Sequence, residues 1–129
     1  MNIKKILTSF LCGLMFFSSL AFAAQVDSKN GTVYYTEAVT KAEASNLMAY
    51  LNKEGFFTND RKGEVLLDKN NGAYEFKFPV KKGMETDVEY IKICKMMSKS
   101  ISKDVFRGKQ VDIHLLDENA KTLRVVVGF

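Results

Sequence analysis

The sequence predicts a two-layer α+β sandwich, a single domain with a mostly antiparallel sheet and two helices on one face. Three observations lead there. Two stretches carry apolar residues at helical spacing behind capping-box starts, several short runs alternate with period two, and an Asn-Gly pair joins two of those runs. Amphipathic helices and half-apolar strands bury their faces most simply against each other in two layers. The order reads β-α-β-β-α-β-β. If both crossovers are right-handed, the first six elements are ferredoxin-like in order, with one strand added at an edge.

The N-terminal part of the domain has clear local signals. Residues 24–31 are short and polar and are expected to form a flexible tail, so the folded domain spans 32–129. Thr32 to Thr36 sets Val33 and Tyr35 against Tyr34 in the manner of a strand. Thr40-Lys41-Ala42-Glu43 is a capping box, in which the Thr hydroxyl and the Glu carboxylate satisfy N–H groups that the first helical turn leaves free. Ala44, Leu47, Met48 and Leu51 then share a face. Gly55 suits the left-handed position that closes such a helix, which lets Phe56 fold back on Leu51.

Glu64 to Asp68 and Ala73 to Val80 flank Lys69-Asn70-Asn71-Gly72, a strong hairpin signal. Tyr74, Phe76, Phe78 and Val80 share one face of the second strand. Pro79 lacks an N–H and belongs at an edge or just beyond the strand's pairing. Thr86-Asp87-Val88-Glu89 repeats the capping-box pattern before a longer helix that runs to about Phe106. Tyr90, Cys94, Met97, Ile101 and Val105 cluster on one side of it, opposite Lys92, Lys95, Lys99 and Lys103. Gln110 to Leu116 and Lys121 to Val127 alternate around residues 117–120. Matching their apolar faces sets Val111, Ile113 and Leu115 opposite Val127, Val125 and Leu123. Asp112, His114 and Leu116 then share the outward surface with Val126, Arg124 and Thr122.

Residues 1–23 combine Lys4 and Lys5, an apolar run from Ile6 to Leu20 and the small-residue site Ala21-Phe22-Ala23, the three parts of a secretory signal peptide. The run falls short of the roughly 20 continuous apolar residues of a membrane anchor. Cleavage after Ala23 is expected, leaving no stable membrane anchor and an exported protein, periplasmic or secreted. Leu11, a large residue, precedes Cys12 within the apolar run, which argues against a lipidated cysteine. Loss of the leader lowers the 19 basic residues to 17 against 15 acidic ones, an ordinary balance that calls for no nucleic-acid or membrane partner. Cys94 becomes the only thiol, so the domain must be held by its core and not by disulfides.

His114 is the only histidine. Asp112, His114 and Arg124 are the candidate catalytic cluster for a small hydrolase, but no nucleophile-elbow motif accompanies them. No ligand spacing argues for a metal, and no phosphate-binding loop or other cofactor signature is present. The lysines at 92, 95, 99 and 103 are an anion-binding candidate. The favoured reading is a non-enzymatic binding domain that contacts a protein, an envelope component or a second copy through its outward sheet face, with Tyr34, Leu66, His114, Leu116, Arg124 and Val126 as the contact residues.

Overall fold

The computed structural model describes residues 24–128, so the leader and Cys12 lie outside the described residues. Among these residues one six-stranded sheet runs in sequence order: β1 (Ala24–Asp27), β2 (Gly31–Tyr35), β3 (Gly63–Asn70), β4 (Ala73–Pro79), β5 (Val111–Leu116) and β6 (Thr122–Val126). Helix α1 (Lys41–Lys53) joins β2 to β3, and α2 (Val88–Asp104) joins β4 to β5 after a 3-10 turn at Met84–Thr86. The architecture is the expected α+β sandwich.

Local chemistry accounts for most of the boundaries. At the start of α1 the Glu43 N–H donates to Thr40 Oγ1 at 3.1 Å and the Thr40 N–H to Glu43 Oε1 at 2.8 Å, completing the capping box. At its end Gly55 takes φ 78°, and the Phe56 N–H donates to the Leu51 carbonyl at 2.8 Å, which is the expected Schellman closure. Asn71 and Gly72 have φ of 53° and 83°, the two positive values that a tight type I′ hairpin between β3 and β4 requires. Pro79 pairs with Leu116 on the β5 side, while the β3 ladder reaches only to Lys77. Its missing N–H therefore falls just beyond the β3 ladder, though the residue still pairs with β5.

Two local expectations are corrected. Residues 24–31 are not a loose tail: Ala24–Asp27 pairs antiparallel with β2, and the Ser28 N–H closes the turn onto the Gly31 carbonyl at 2.8 Å. The polarity that suggested a tail is that of an edge strand, where Gln25 Nε2 donates to the Asp27 carboxylate on the exposed surface. The cap of α2 is Asp87, which accepts the Tyr90 N–H at 3.0 Å. Thr86 belongs instead to the preceding turn and donates its hydroxyl to the Gly83 carbonyl at 3.0 Å.

The ferredoxin-like order is not what the chain adopts. Each crossover joins strands that are immediate neighbours, with β2 parallel to β3 and β4 parallel to β5. Both helices lie on the same face, because the Tyr50 hydroxyl of α1 meets the Ser100 hydroxyl of α2 and their apolar residues enter one core. The two crossovers step the same way along the sheet from strands that run in opposite directions. Their hands are therefore opposite, and one of them is left-handed against a strong general preference.

The core fills the layer between helices and sheet. Val33, Val65, Leu67, Phe76, Phe78, Ile113 and Leu115 meet Leu47, Leu51, Cys94, Met97 and Ile101 there. Phe56, delivered by the Schellman turn, packs edge-on to Phe78 with centroids 5.6 Å apart. Tyr74 stacks on Phe106 at 3.8 Å and donates its hydroxyl to Glu43, which ties β4 to both helical segments. Ser98 and Ser102 of α2 donate to the carbonyls of Val111 and Lys109 and fix that helix over the start of β5.

Gly31 marks a close approach in this layer, since a Cβ there would sit 2.5 Å from the Phe57 ring. Gly31→Ala should cost about 1–3 kcal/mol through overpacking. Thermal unfolding reads this directly: a lowered midpoint is expected, and an unchanged one would show that the Phe57 ring moves aside freely.

Candidate functional site

The outward face of β5 and β6 is governed by a β-bulge. The turn between these strands closes with the Asp117 N–H on the Lys121 carbonyl, and the Asp117 carboxylate accepts the N–H groups of Asn119 at 2.8 Å and Lys121 at 2.9 Å. This closure sets Leu116 opposite Thr122, as face matching predicts. Leu123 is then an extra residue on β6. Beyond it Leu115 pairs with Arg124, His114 with Val125 and Ile113 with Val126. A slip of one residue moves every later side chain to the other face.

The slip rearranges the expected site. Val126 turns into the core and is 3% exposed. Arg124 stands opposite Leu115 on the helix side, away from His114. The Asp112, His114 and Arg124 cluster is not assembled. Tyr34, Leu66 and Leu116 do lie on the face away from the helices, but all three are buried, Leu116 to 1% exposure. Large cross-strand neighbours flank them: Leu66 lies between Tyr34 and Lys77, and Leu116 between Pro79 and Thr122. The Tyr34 hydroxyl donates to buried Glu64 at 3.3 Å. The outward face as first drawn is therefore not an open apolar surface. On the sheet side the exposed large apolar residues lie along β6 and its end, where Val125 is 39%, Leu123 41% and Val127 62% exposed; Val88 and Met96 of α2 are exposed as well.

Around His114 the structure brings together Thr122, which the sequence places on the same face, and Glu75, which it did not suggest as a neighbour. The ring Nε2 is 3.4 Å from the Glu75 carboxylate, and Nδ1 is 3.3 Å from the Thr122 hydroxyl. Glu75 is shared with Lys77 at 3.3 Å. Hydroxyl, imidazole and carboxylate stand in the order of a nucleophile, base and orienting acid, but both separations exceed the ordinary range for proton transfer and the carboxylate already serves a lysine. Asp112, on the same strand face as His114, accepts the Gly128 N–H at 2.8 Å and Gln110 Nε2 at 2.9 Å, so it anchors the chain after β6. Glu75 was legible as an outward residue of β4, and only its parallel pairing with β5 brings it beside His114.

Burial pulls the His114 pKa below its ordinary value of 6.5, Glu75 opposes that shift and Lys77 adds to it. The imidazole is neutral at pH 7. Cys94 is fully buried, and burial pushes its thiol up to about 12, which leaves it without thiolate character. The lysines at 92, 95, 99 and 103 are exposed, and Lys92 pairs with Glu89 at 3.6 Å. Among the described residues no group of three or more His, Cys, Asp or Glu side chains is placed to hold a metal. No described helix is long and apolar enough to cross a membrane.

Two measurements check these assignments. A depressed folded-state pKa means that the stability tied to neutral His114 is complete above pH 6.5 and is lost as the pH falls through the folded value. The denaturation midpoint should therefore decline on acidification from pH 6.5 toward 5, and decline less in His114→Gln; identical pH profiles would refute the assignment. Cys94 should react with a thiol reagent far more slowly in the native protein than in urea, and equal rates would mean that the thiol is accessible.

A family model for an N-terminal domain, AF_1994_N, matches residues 24–127. No curated protein and no solved structure matches the chain.

Proposed function

The chain belongs to the AF_1994_N family, and we propose that it works as an exported, non-enzymatic binding domain whose contact surface is strand β6. The observation that carries this reading is the exposure of Leu123, Val125 and Val127 along a strand at the margin of the described sheet. A terminal strand with exposed apolar side chains is a template for strand addition. The occupant is an extended segment of a partner protein with carboxylates to meet Lys121 and Arg124, both exposed cations of this edge. A second copy would bring these cations together along one seam and is disfavoured.

Export rests on the leader at residues 1–23. The family match starts at residue 24, the first residue after the expected cleavage point, which supports the division. The separation of Arg124 from His114 favours binding over catalysis. A photo-reactive residue in place of Val125, irradiated in the producing cells, should give an adduct with a different protein, and Val127→Lys should suppress it. Adducts only between copies of this chain, or equal adducts from a control position at Lys95, would contradict the proposal. Mass spectrometry of the exported product should show Ala24 at its N-terminus, and retention of Met1 would remove the argument for export.

A further inference from the structure

Charge is distributed unevenly over the folded domain. Residues 81–109, which contain helix α2, carry eight basic and four acidic side chains, whereas the rest of residues 24–129 carries nine basic and eleven acidic ones. The near-even overall balance therefore conceals a positive segment and a slightly negative remainder, and a field of that shape orients a protein on a charged surface. Four of the cations form one stripe. Lys92, Lys95, Lys99 and Lys103 fall with Val88 and Met96 on a single helical face, and all six residues are exposed. The opposite face of α2, with Tyr90, Cys94, Met97 and Ile101, is buried in the core, so the stripe points away from the sheet. Beyond the helix, exposed Arg107 lines a depression with Lys99 and Lys103, and no carboxylate belongs to that lining. The acids lie at the margins of the stripe. Glu85 accepts the Gly83 N–H and Asp87 caps the helix, Glu89 pairs with Lys92 at 3.6 Å, and Asp104 accepts the Ser100 hydroxyl at 3.5 Å on the side of α2 that meets α1.

From this face we infer that α2 docks the domain on a lipid bilayer that carries anionic headgroups, with the lysine ammoniums at the phosphates and Val88 and Met96 seated between the headgroups. Val88 to Lys103 spans about 22 Å of helix, long enough to meet several headgroups at once. Lysine stems lie along apolar surface while their charged ends stay hydrated, which lets a mixed face settle at an interface. The exposed apolar pair decides between partners. A polymeric anion in water leaves Val88 and Met96 solvated, whereas a bilayer interface buries them. The face belongs to the helical layer and includes no residue of β6, so it does not depend on strand addition.

Co-sedimentation of the full chain with vesicles of phosphatidylglycerol and phosphatidylcholine in equal parts tests this assignment against vesicles of phosphatidylcholine alone. Stronger binding to the anionic vesicles is expected, and it should fall as salt is raised. Lys95→Gln/Lys99→Gln/Lys103→Gln should weaken that binding by about tenfold or more, since each basic residue near an anionic surface contributes about fivefold. Lys29→Gln/Lys41→Gln/Lys62→Gln removes the same charge from exposed positions elsewhere and should leave most of the binding intact. Val88→Ser/Met96→Ser should weaken it without any change in charge. Parent and variants keep the same N-terminus, so any contribution from the apolar segment at residues 6–20 is common to all. Equal binding to the two vesicle types, equal losses in the two lysine triples, or undiminished binding in the Val88 and Met96 variant would each overturn the assignment. A missing adduct at Val125 would remove the β6 reading and leave these outcomes unaffected.

Discussion

One inserted residue in β6 determines what the sheet margin presents. The turn after β5, held by the Asp117 carboxylate and by Ala120 at φ 66°, delivers Thr122 opposite Leu116. Leu123 then breaks the ladder, and the rest of β6 is offset by one. Through that offset Val126 seals the core, Arg124 leaves the His114 side, Val125 reaches the surface beside the imidazole, and Leu123 is left 41% exposed. Asp112 secures the displaced strand by accepting the Gly128 N–H. Gly128 itself is required because a Cβ there would lie 2.3 Å from the Val111 carbonyl oxygen.

The second organising feature is that both helices share one face of a sheet whose strands follow the chain in order. This arrangement forces crossovers of opposite hand, and dense packing on a single side accompanies it. The Phe56, Phe76 and Phe78 cluster and the Tyr74–Phe106 stack sit beneath the helices. The other face carries the polar rows: Asp68, Glu75 and Asp112 lie directly across three strands, and Lys77 and His114 fill the next row. Three carboxylates in one row need compensating groups, and Lys77, the Thr36 hydroxyl and the Gln110 amide supply them.

Features encoded within a few residues were legible in the sequence. The Thr40–Glu43 capping box, the Gly55 closure, the Asn71-Gly72 turn, the inward set of Tyr74, Phe76 and Phe78, and the burial of Cys94 each follow from spacing and local chemistry. Features that depend on distant partners were not. Strand order is set by packing, and no short motif in the sequence specifies it. The bulge was hidden because Leu123, Val125, Val126 and Val127 are all apolar, so either register of β6 satisfies an alternation argument. The partners of His114 were missed for the same reason: Thr122 was placed on the correct face, but Glu75 becomes its neighbour only through the parallel pairing of β4 with β5. The Asp87 cap was obscured by Thr86, a competent cap that the preceding turn had already taken.

The register of β6 is therefore the quantity to measure first. Cross-strand nuclear Overhauser contacts between β5 and β6 should join Ile113 to Val126 and His114 to Val125 as direct backbone partners, with Leu116 facing Thr122. Contacts joining Ile113 to Val125 and His114 to Arg124 would contradict the account. They would return Arg124 to the histidine, expose Val126, and remove the bulge on which the proposed edge depends.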